Sequence, residues 1–424
     1  MSSRPRRSLI VRILQVVSLI GVTVLYVALI YSVFQNGGKP LTTLTPKGPA
    51  AQTIQNLVVP VFAVAGVVFV LVFAAVLYIT VRFRSHHDGD GDDEGFPAQT
   101  HGNTVLEIGW TILPAVILAG IAVGTVITII NLEKREPDAL KVEVFGQQWW
   151  WGYKYDVNGD GSVDGPEDVT TATEMVIPTG RQIELSIGSN DVIHSFWIPG
   201  LNGKKDAVPG EQHFWTIEAD EPGVFRGQCT EYCGLSHANM RMLVRAVSPD
   251  DYEAWVKNQQ LPARTPSADN ADAVAGEAVF KAQLCSSCHL IRGVNDAKVA
   301  DPSKGVTSLL QSGVAPDLTH FATRGTFAGS IYNSYTPQDP SNPDLPGDPG
   351  DVNLPGDPGR ALYGGDSAPF SFVKSTVSAW LRNPPALKPA YAKPDADGKL
   401  RGMPNLGLTE QQISQLTAYL ETLK

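Results

Sequence analysis

Three long apolar runs constrain the fold of this chain more than any other feature of its sequence. They cover about residues 9–34, 57–81 and 108–132. Each run approaches or exceeds the ~20 residues that an α-helix needs to cross the hydrocarbon core of a bilayer. The sequence therefore predicts a membrane protein in which residues 35–139 form a transmembrane hairpin from the second and third runs.

The first apolar run follows three arginines and in that respect is similar to a secretory signal peptide. It is longer than the ~7–15 apolar residues usual in such peptides and has no evident small-residue cleavage site. We therefore interpret residues 1–34 as a retained signal-anchor or extra transmembrane helix. A basic start stays in the cytoplasm. If the first run is retained, three crossings place the chain after Leu132 on the outer face of a bacterial cytoplasmic membrane. If it is cleaved, the two remaining crossings give the same result.

The rest of the chain predicts two soluble domains. Residues 140–258 contain short runs of β-branched and aromatic residues between Gly, Pro and Asp breaks, which is typical of an antiparallel β-sandwich. After a linker at 259–274, helical periodicity predicts an all-α domain at 275–424, with a Pro- and Gly-rich surface loop inserted at about 333–366. Thr409 and Gln412 form a capping box before a final helix that carries Ile413, Leu416, Leu420 and Leu423 on one face.

Two cysteines, a histidine and a methionine lie together in GQCTEYCGLSHANM, residues 227–240. A disulfide or a structural zinc site would use the cysteines, but a thioether is a soft ligand that suits copper. The stretch DVIHSFW adds His194 from an earlier strand. Two thiolates that bridge two copper ions in a cupredoxin-like sandwich explain this donor set: His194, Cys229, Cys233, His237 and Met240, with the backbone carbonyl of Glu231.

The motif CSSCH, residues 285–289, predicts covalent attachment of haem c. The thioether bonds come from Cys285 and Cys288, and His289 is one axial ligand of the iron. Met403 is the only methionine after residue 289, which makes it the candidate for the second axial ligand, and His320 is the competitor. The net charge of the whole chain, −10, argues against nucleic acid as a partner.

A third candidate metal site lies in DVNGDGSVDGPE, residues 156–167, which fits the calcium-loop pattern D-x-N-x-D-G-x₅-E. No helices are predicted on either side of this loop, so a hydrated Asp/Gly turn is the alternative to calcium binding. The oxygen ligands are those of Asp156, Asn158, Asp160, Asp164 and Glu167, together with the carbonyl of Ser162.

Over residues 50–258 the chain strongly resembles subunit II of haem–copper cytochrome c oxidase. The resemblance rests on EIGWTILPAVIL, GQQWWWGYKY, DVIHSFWIP, GKKDAVPG and GQCTEYCGLSHANM. It implies the copper ligands named above and a magnesium ion that the Glu231 carboxylate shares with subunit I. It also implies that Trp149 is the port for electrons from cytochrome c, which we expect to be an exposed aromatic at a docking surface. Glu107 resembles a proton-pathway entrance into subunit I, and it also suits a helix N-terminus.

The expected function is that of an electron-transfer subunit in a terminal oxidase. Electrons pass from haem c to the binuclear copper A centre and then to haem in subunit I, which reduces oxygen to water and pumps protons. Subunit III and an upstream donor, such as a cytochrome bc complex or a cytochrome c, are further expected partners. A copper-containing nitric oxide reductase subunit is the alternative. A copper-delivery protein would need neither the haem motif nor the spans.

Overall fold

The computed structural model describes residues 9–35, 41–83, 101–165, 167–295, 315–337, 370–391, 393 and 401–424. The chain divides into two compact units. The first contains Met1–Lys39 and Thr53–Leu132, and the second contains Pro40–Gln52 and Glu133–Lys424. Residues 84–100, between the second and third apolar runs, and most of the insert predicted at about 333–366 lie outside the described residues.

The first unit is built from apolar helices. These are α1 (Leu9–Gln35), α2 (Pro49–Arg82) and α3 (Thr104–Leu132). Both α2 and α3 are long and apolar enough to cross a membrane, and almost none of their side chains is buried. The two spans expected for the hairpin lie within these helices. Asn103 accepts the backbone N–H groups of Val105 and Leu106 at the start of α3, which satisfies donors that have no partner inside the helix.

The strand-rich part of the second unit, residues 140–259, is called the β domain below. It contains β1 (Leu140–Gln147), β2 (Trp150–Tyr155), β3 (Val169–Ala172), β4 (Glu174–Pro178), β5 (Ile183–Ser189), β6 (His194–Trp197), β7 (Lys204–Ala207), β8 (His213–Ile217), β9 (Gly223–Gln228), β10 (Arg241–Val247) and α4 (Pro249–Gln259). One sheet has the order β3-β2-β1-β5-β8, another has the order β4-β10-β9, and β6 pairs with β7.

The sheets of the β domain are mixed, whereas the sequence predicted an antiparallel sandwich. β1 pairs with β5 in parallel, and β4 pairs with β10 in parallel. Both pairs join strands that are distant in sequence, and a parallel pair requires such a long connection. The alternation of side chains still holds, because Trp151 packs in the main core whereas Trp150 faces Phe145 in a separate cluster.

The remainder of the second unit, residues 271–424, is called the C-terminal domain. Its elements are α5 (Ala271–Ala282), α6 (Cys285–Cys288), β11 (Thr326–Phe327), β12 (Tyr332–Asn333), β13 (Tyr335–Pro337), β14 (Phe370–Phe372), α7 (Lys374–Arg382), α8 (Pro384–Leu387) and α9 (Glu410–Thr422). α5 packs on α9 where Gly276 lies against the Gln415 backbone and leaves no room for a side chain. The predicted capping box of α9 is confirmed, and its predicted apolar face is buried.

The C-terminal domain is helical, as predicted, and the structure adds three details to that prediction. The domain is mainly helical, but β11 pairs with β12 and β13 pairs with β14. The linker is shorter than 259–274, because the Asn270 side chain accepts the Ala273 N–H and begins α5 at Ala271. The insert does not begin as a surface loop, because Tyr335 is buried and its hydroxyl donates to the carbonyl of Ala322.

Candidate copper and haem sites

The soft donors named from the sequence converge at one end of the β domain. β9 ends just before Cys229, a short 3-10 helix places His237, and β6 begins at His194. The Sγ atoms of Cys229 and Cys233 lie 3.8 Å apart. The Cys229 Sγ lies 3.9 Å from Nδ1 of His194 and 3.3 Å from the Glu231 carbonyl oxygen. The Cys233 Sγ lies 3.5 Å from Nδ1 of His237 and 3.8 Å from Sδ of Met240.

The chemistry of these donors fits a binuclear copper centre. Both cysteines are free thiols, so the structure gives no disulfide here. The thiols lie between the two imidazoles, which places each imidazole beside one sulfur. Thiolate, thioether and imidazole are ligands that select copper, and a methionine is not expected in a structural zinc site. The six donors could therefore hold two copper ions bridged by the two sulfurs.

A hydrogen bond between the two thiols shifts their pKa values in opposite directions. Because this hydrogen bond favours the thiolate of Cys229, the pKa of Cys229 is lowered, with a further contribution from His194. The same hydrogen bond, together with burial, raises the pKa of Cys233. Copper binds the thiolate form of cysteine, so copper uptake by this pair releases protons and depends on pH.

Asp191 orients the His194 imidazole. Its Oδ1 lies 2.7 Å from Nε2 of His194. A carboxylate only accepts, so Nε2 carries a proton, and Nδ1, on the Cys229 side, is the nitrogen that can bind a metal when the imidazole is neutral. Although burial lowers the pKa of His194, the hydrogen bonds to Asp191 and Cys229 outweigh burial and raise it overall. Sequence reasoning missed Asp191, although its position three residues before His194 is a usable signal.

Trp149 contacts the copper site directly, but its environment differs from the one expected. Its indole Nε1 donates to the carbonyl of Cys233 at 3.0 Å, and Nε2 of Gln148 donates to the same oxygen at 2.7 Å. The expectation of an exposed aromatic is wrong, because Trp149 is only 2% exposed. The C-terminal domain covers it, and the ring of Tyr391 lies 5.3 Å from the Trp149 ring.

A cavity between the β domain and the C-terminal domain collects the candidate haem residues. Its empty space, including the open mouth, is about 1350 Å³. The lining is mostly apolar, and it includes Cys285, Cys288, His289, Met403, Arg324, Trp149, Trp150 and Lys388. Nε of Arg324 has no hydrogen-bond partner among the described residues. An unpaired, buried, charged donor beside an apolar cavity fits a large ring with anionic substituents, as haem has.

The two proposed axial ligands lie in this cavity. Nδ1 of His289 lies 2.7 Å from the carbonyl oxygen of Pro316, so Nδ1 carries the proton and Nε2 is free to bind iron. Burial lowers the pKa of His289, which favours the neutral form that binds metal. Sδ of Met403 lies 3.1 Å from the indole Nε1 of Trp380. The competitor His320 is bonded to the carbonyl of Leu261 and is not among the residues that line the cavity.

Three residues of the C-terminal domain, Lys388, Pro389 and Arg401, fasten this domain to the copper site. Nζ of Lys388 donates to the carbonyl of Trp149 at 2.6 Å and to that of Ala328 at 2.8 Å. The hydroxyl of Ser236 donates to the carbonyl of Pro389. Nη1 of Arg401 lies 3.2 Å from Oδ2 of Asp191. The sequence offered no signal for the contacts with the β domain, because each of them joins residues more than 150 positions apart.

The buried position of Lys388 predicts a pH-dependent stability. Burial lowers its pKa from 10.5 to about 7. Between these pH values the unfolded chain binds a proton that the folded protein does not, so the free energy of unfolding rises with pH there. The slope is at most about 1.4 kcal/mol per pH unit, and it disappears below pH 7. Lys388→Met should abolish it in denaturation series, whereas Lys281→Met, at an exposed helix position, should retain it.

The Glu231 side chain is exposed beside the copper ligands. Glu107 lies in the exposed first turn of α3. The acidic residues of 156–167 belong to the connection between β2 and β3.

Known families match both units of the chain. The periplasmic domain of cytochrome C oxidase subunit II matches residues 140–247, and its transmembrane domain matches residues 41–126. Cytochrome c oxidase subunit 2 of Alkalihalophilus pseudofirmus is 32% identical over 400 residues, which cover 92% of each chain. The same subunit of a Bacillus species is 29% identical over 402 residues, with 91% of this chain and 93% of that chain covered.

The periplasmic domain of subunit II of cytochrome oxidase from Bradyrhizobium japonicum, a solved structure, is also similar. It is 31% identical, covers 29% of this chain and 96% of that chain, and has a TM-score of 0.27.

The family matches and the oxidase relatives, together with the donor geometry, agree with the resemblance seen in the motifs. The periplasmic-domain match implies a copper A centre, and the converging His, Cys and Met donors fit it. The chain is a membrane protein and a subunit of an oxidoreductase complex. The relatives named here are oxidase subunits, so the nitric oxide reductase alternative is not favoured. The chain belongs to the cytochrome c oxidase subunit II family.

Proposed function

We propose that this chain is the electron-entry subunit of a terminal oxidase and carries its own cytochrome c. In this proposal electrons enter at haem c, pass to the binuclear copper A centre and continue to haem in subunit I, where oxygen is reduced to water and protons are pumped. The soluble domains lie on the outer face of a bacterial cytoplasmic membrane. The other partners in this proposal are subunit III and an electron donor such as a cytochrome bc complex or a cytochrome c.

The observation that carries this proposal is the position of Trp149. Its ring lines the cavity that contains the CSSCH motif, and its indole N–H is bonded to the carbonyl of Cys233. One side chain therefore contacts both the candidate haem site and a candidate copper ligand. Because the C-terminal domain buries Trp149, an external cytochrome c has no access to it, and electrons must enter through the attached domain.

Four residues would hold the haem. Cys285 and Cys288 would form the thioether bonds, and His289 and Met403 would be the axial ligands. The haem supplies one-electron chemistry, and a methionine ligand raises its potential. Arg324 is buried beside the cavity with an unpaired Nε, and there it would offset the negative charge of a haem carboxylate.

The surface next to the copper ligands fits a partner subunit. Apolar side chains beside His194 and Cys233 are exposed, namely Val192, Ile193, Tyr232 and Leu235. Exposed apolar residues that cluster at one site are typical of an interface. We assign this patch to subunit I, with the Glu231 carboxylate available for a shared magnesium ion. Glu107 would admit protons to subunit I from the start of α3.

The test is the rate of internal electron transfer after rapid reduction of the haem in the purified oxidase. In Trp149→Phe the haem should be reduced at the wild-type rate, whereas reduction of the copper centre should slow at least about tenfold. The physical reason is that phenylalanine cannot donate the hydrogen bond to Cys233. Absorbance changes at the haem and copper bands, followed by stopped flow, measure both steps.

Trp150→Phe is the matched control, because Trp150 lines the same cavity but packs on Phe145. Its internal transfer rate should stay close to that of the wild type. Equal rates in Trp149→Phe and the wild type would refute the relay, and so would absence of covalent haem from the purified chain.

A further inference from the structure

The loop between β2 and β3 is a second candidate metal site, and oxidase function does not account for it. Six of its twelve positions, from Asp156 to Glu167, carry the oxygen ligands of a calcium loop, and Gly161 is in the sixth position. Gly161 has a φ of +88° and donates its N–H to Oδ2 of Asp156 at 2.9 Å. This conformation suits glycine, and it turns the chain around the loop centre.

The strongest sign of a cation site is Asp156. Its side chain is only 3% exposed, and its Oδ1 has no hydrogen-bond partner among the described residues. A buried carboxylate oxygen without a partner is costly unless a charge compensates it. Asp168, 1% exposed, places a second buried carboxyl group in the loop. Its pKa is raised by burial and by the nearby carboxylates of Glu167 and Asp156.

Lys154, two residues before Asp156, pairs with other carboxylates. Nζ of Lys154 pairs with Asp164 at 2.8 Å and with Glu143 at 4.0 Å. Inside the loop, the Asn158 amide nitrogen donates to Oδ2 of Asp160 at 2.9 Å and also to Glu167. A neutral amide thus takes the position between two carboxylates in which a cation would be stabilised more strongly.

We propose that this loop binds one calcium ion. Asp156, Asn158, Asp160 and Glu167 contribute side-chain oxygens, Ser162 contributes its carbonyl, and Asp164 acts through water. Oxygen donors with several carboxylates are those that calcium prefers. In the described residues the loop carboxylates do not gather within 4.8 Å of one another. The ion therefore draws Asp160 and Glu167 inward and displaces the Asn158 amide.

The movement of Glu167 toward the ion also affects the connection between the two soluble domains. The carbonyl oxygen of Glu167 accepts Nε2 of Gln260 at 2.7 Å. Gln260 follows α4 directly, at the start of the connection to the C-terminal domain. The neighbouring Gln259 donates to the hydroxyl of Thr323 in that domain. Calcium binding at the loop therefore stabilises the segment that holds the C-terminal domain against the β domain.

The test uses the purified oxidase after treatment with a chelator. Titration with calcium chloride should show one bound ion that is absent from the double variant Asp156→Asn/Glu167→Gln. The expected dissociation constant is that of an extracellular module, about 10⁻⁴–10⁻³ M. The unfolding temperature of the haem-bearing unit should rise with calcium in the wild type, and the same concentration of magnesium chloride should leave it unchanged.

Glu211→Gln, at an exposed position outside the loop, is the matched control and should keep the calcium response. The single variant Asp160→Asn serves if the double variant fails to fold. A hydrated Asp/Gly turn predicts no loss of bound calcium in either loop variant, and that outcome would overturn the proposal. The proposal would also fail if magnesium raised the unfolding temperature as much as calcium does.

Discussion

Cys233→Ser is expected to abolish the electron signal shared between two copper nuclei and to leave covalent haem c in place. A serine hydroxyl is a hard donor that cannot bridge two soft metal ions as a thiolate does. The contacts of Gln148 and Trp149 are to the backbone carbonyl of Cys233, so the substitution leaves them intact. Turnover should fall by more than the ~10–100-fold typical for loss of a residue that only orients a metal ligand.

Electron paramagnetic resonance and the haem absorbance of the purified oxidase measure the two outcomes separately. Thr230→Val is the matched control, because it changes a hydroxyl next to Cys229 that has no partner in the described part of the chain. The control should keep the binuclear signal. An unchanged signal in Cys233→Ser would remove this cysteine from the ligand set, and loss of the signal in both variants would indicate a general effect on the loop.

The ligand residues could be named from the sequence because their chemistry is local. Cys229, Cys233, His237 and Met240 fall within twelve residues, and no other common site needs this combination. The haem motif is equally compact. The capping box at Thr409 was predictable for the same reason, since both partners lie within four residues and depend only on helix geometry.

The contacts between the domains could not be predicted from the sequence. Lys388 follows a proline-rich segment that has no periodicity, and its partners are the carbonyls of Trp149 and Ala328. Only the folded arrangement makes these carbonyls neighbours. The same fact explains the error about Trp149, whose burial depends on a domain that begins more than a hundred residues later. The prediction of antiparallel strands was wrong for a similar reason, because β5 pairs in parallel with β1 only after three intervening strands.

Arg401→Gln is expected to weaken both metal sites at once, because Arg401 joins them. Its guanidinium pairs with Asp191, which holds His194, and it lies two residues before Met403. Both side chains of the pair are almost fully buried, 5% and 4% exposed. Removing one partner from a buried ion pair costs about 3–5 kcal/mol, since the remaining charge is left uncompensated. The unfolding temperature of the copper- and haem-bearing unit should fall accordingly.

The reduction potential of the copper centre should also change in Arg401→Gln, and a general loss of stability would not explain this change. Without Arg401, Asp191 keeps its full negative charge and accepts the His194 Nε2–H more strongly. This makes Nδ1 a stronger donor to copper. A stronger donor favours the oxidised ions, so the reduction potential of the copper centre should decrease. Potentiometric titration of the copper absorbance measures this shift in oxidase that is still folded.

Arg382→Gln is the matched control, because it removes an exposed ion pair instead of a buried one. Arg382 bonds Glu410 at 2.6 Å, but the two side chains are 50% and 71% exposed, and pairs in water contribute little to stability. This control should change neither the unfolding temperature nor the copper potential. If Arg401→Gln behaves like Arg382→Gln, Arg401 does not couple the two sites. If the unfolding temperature falls while the copper potential stays constant, Arg401 only fastens the C-terminal domain, and Asp191 orients His194 without its help.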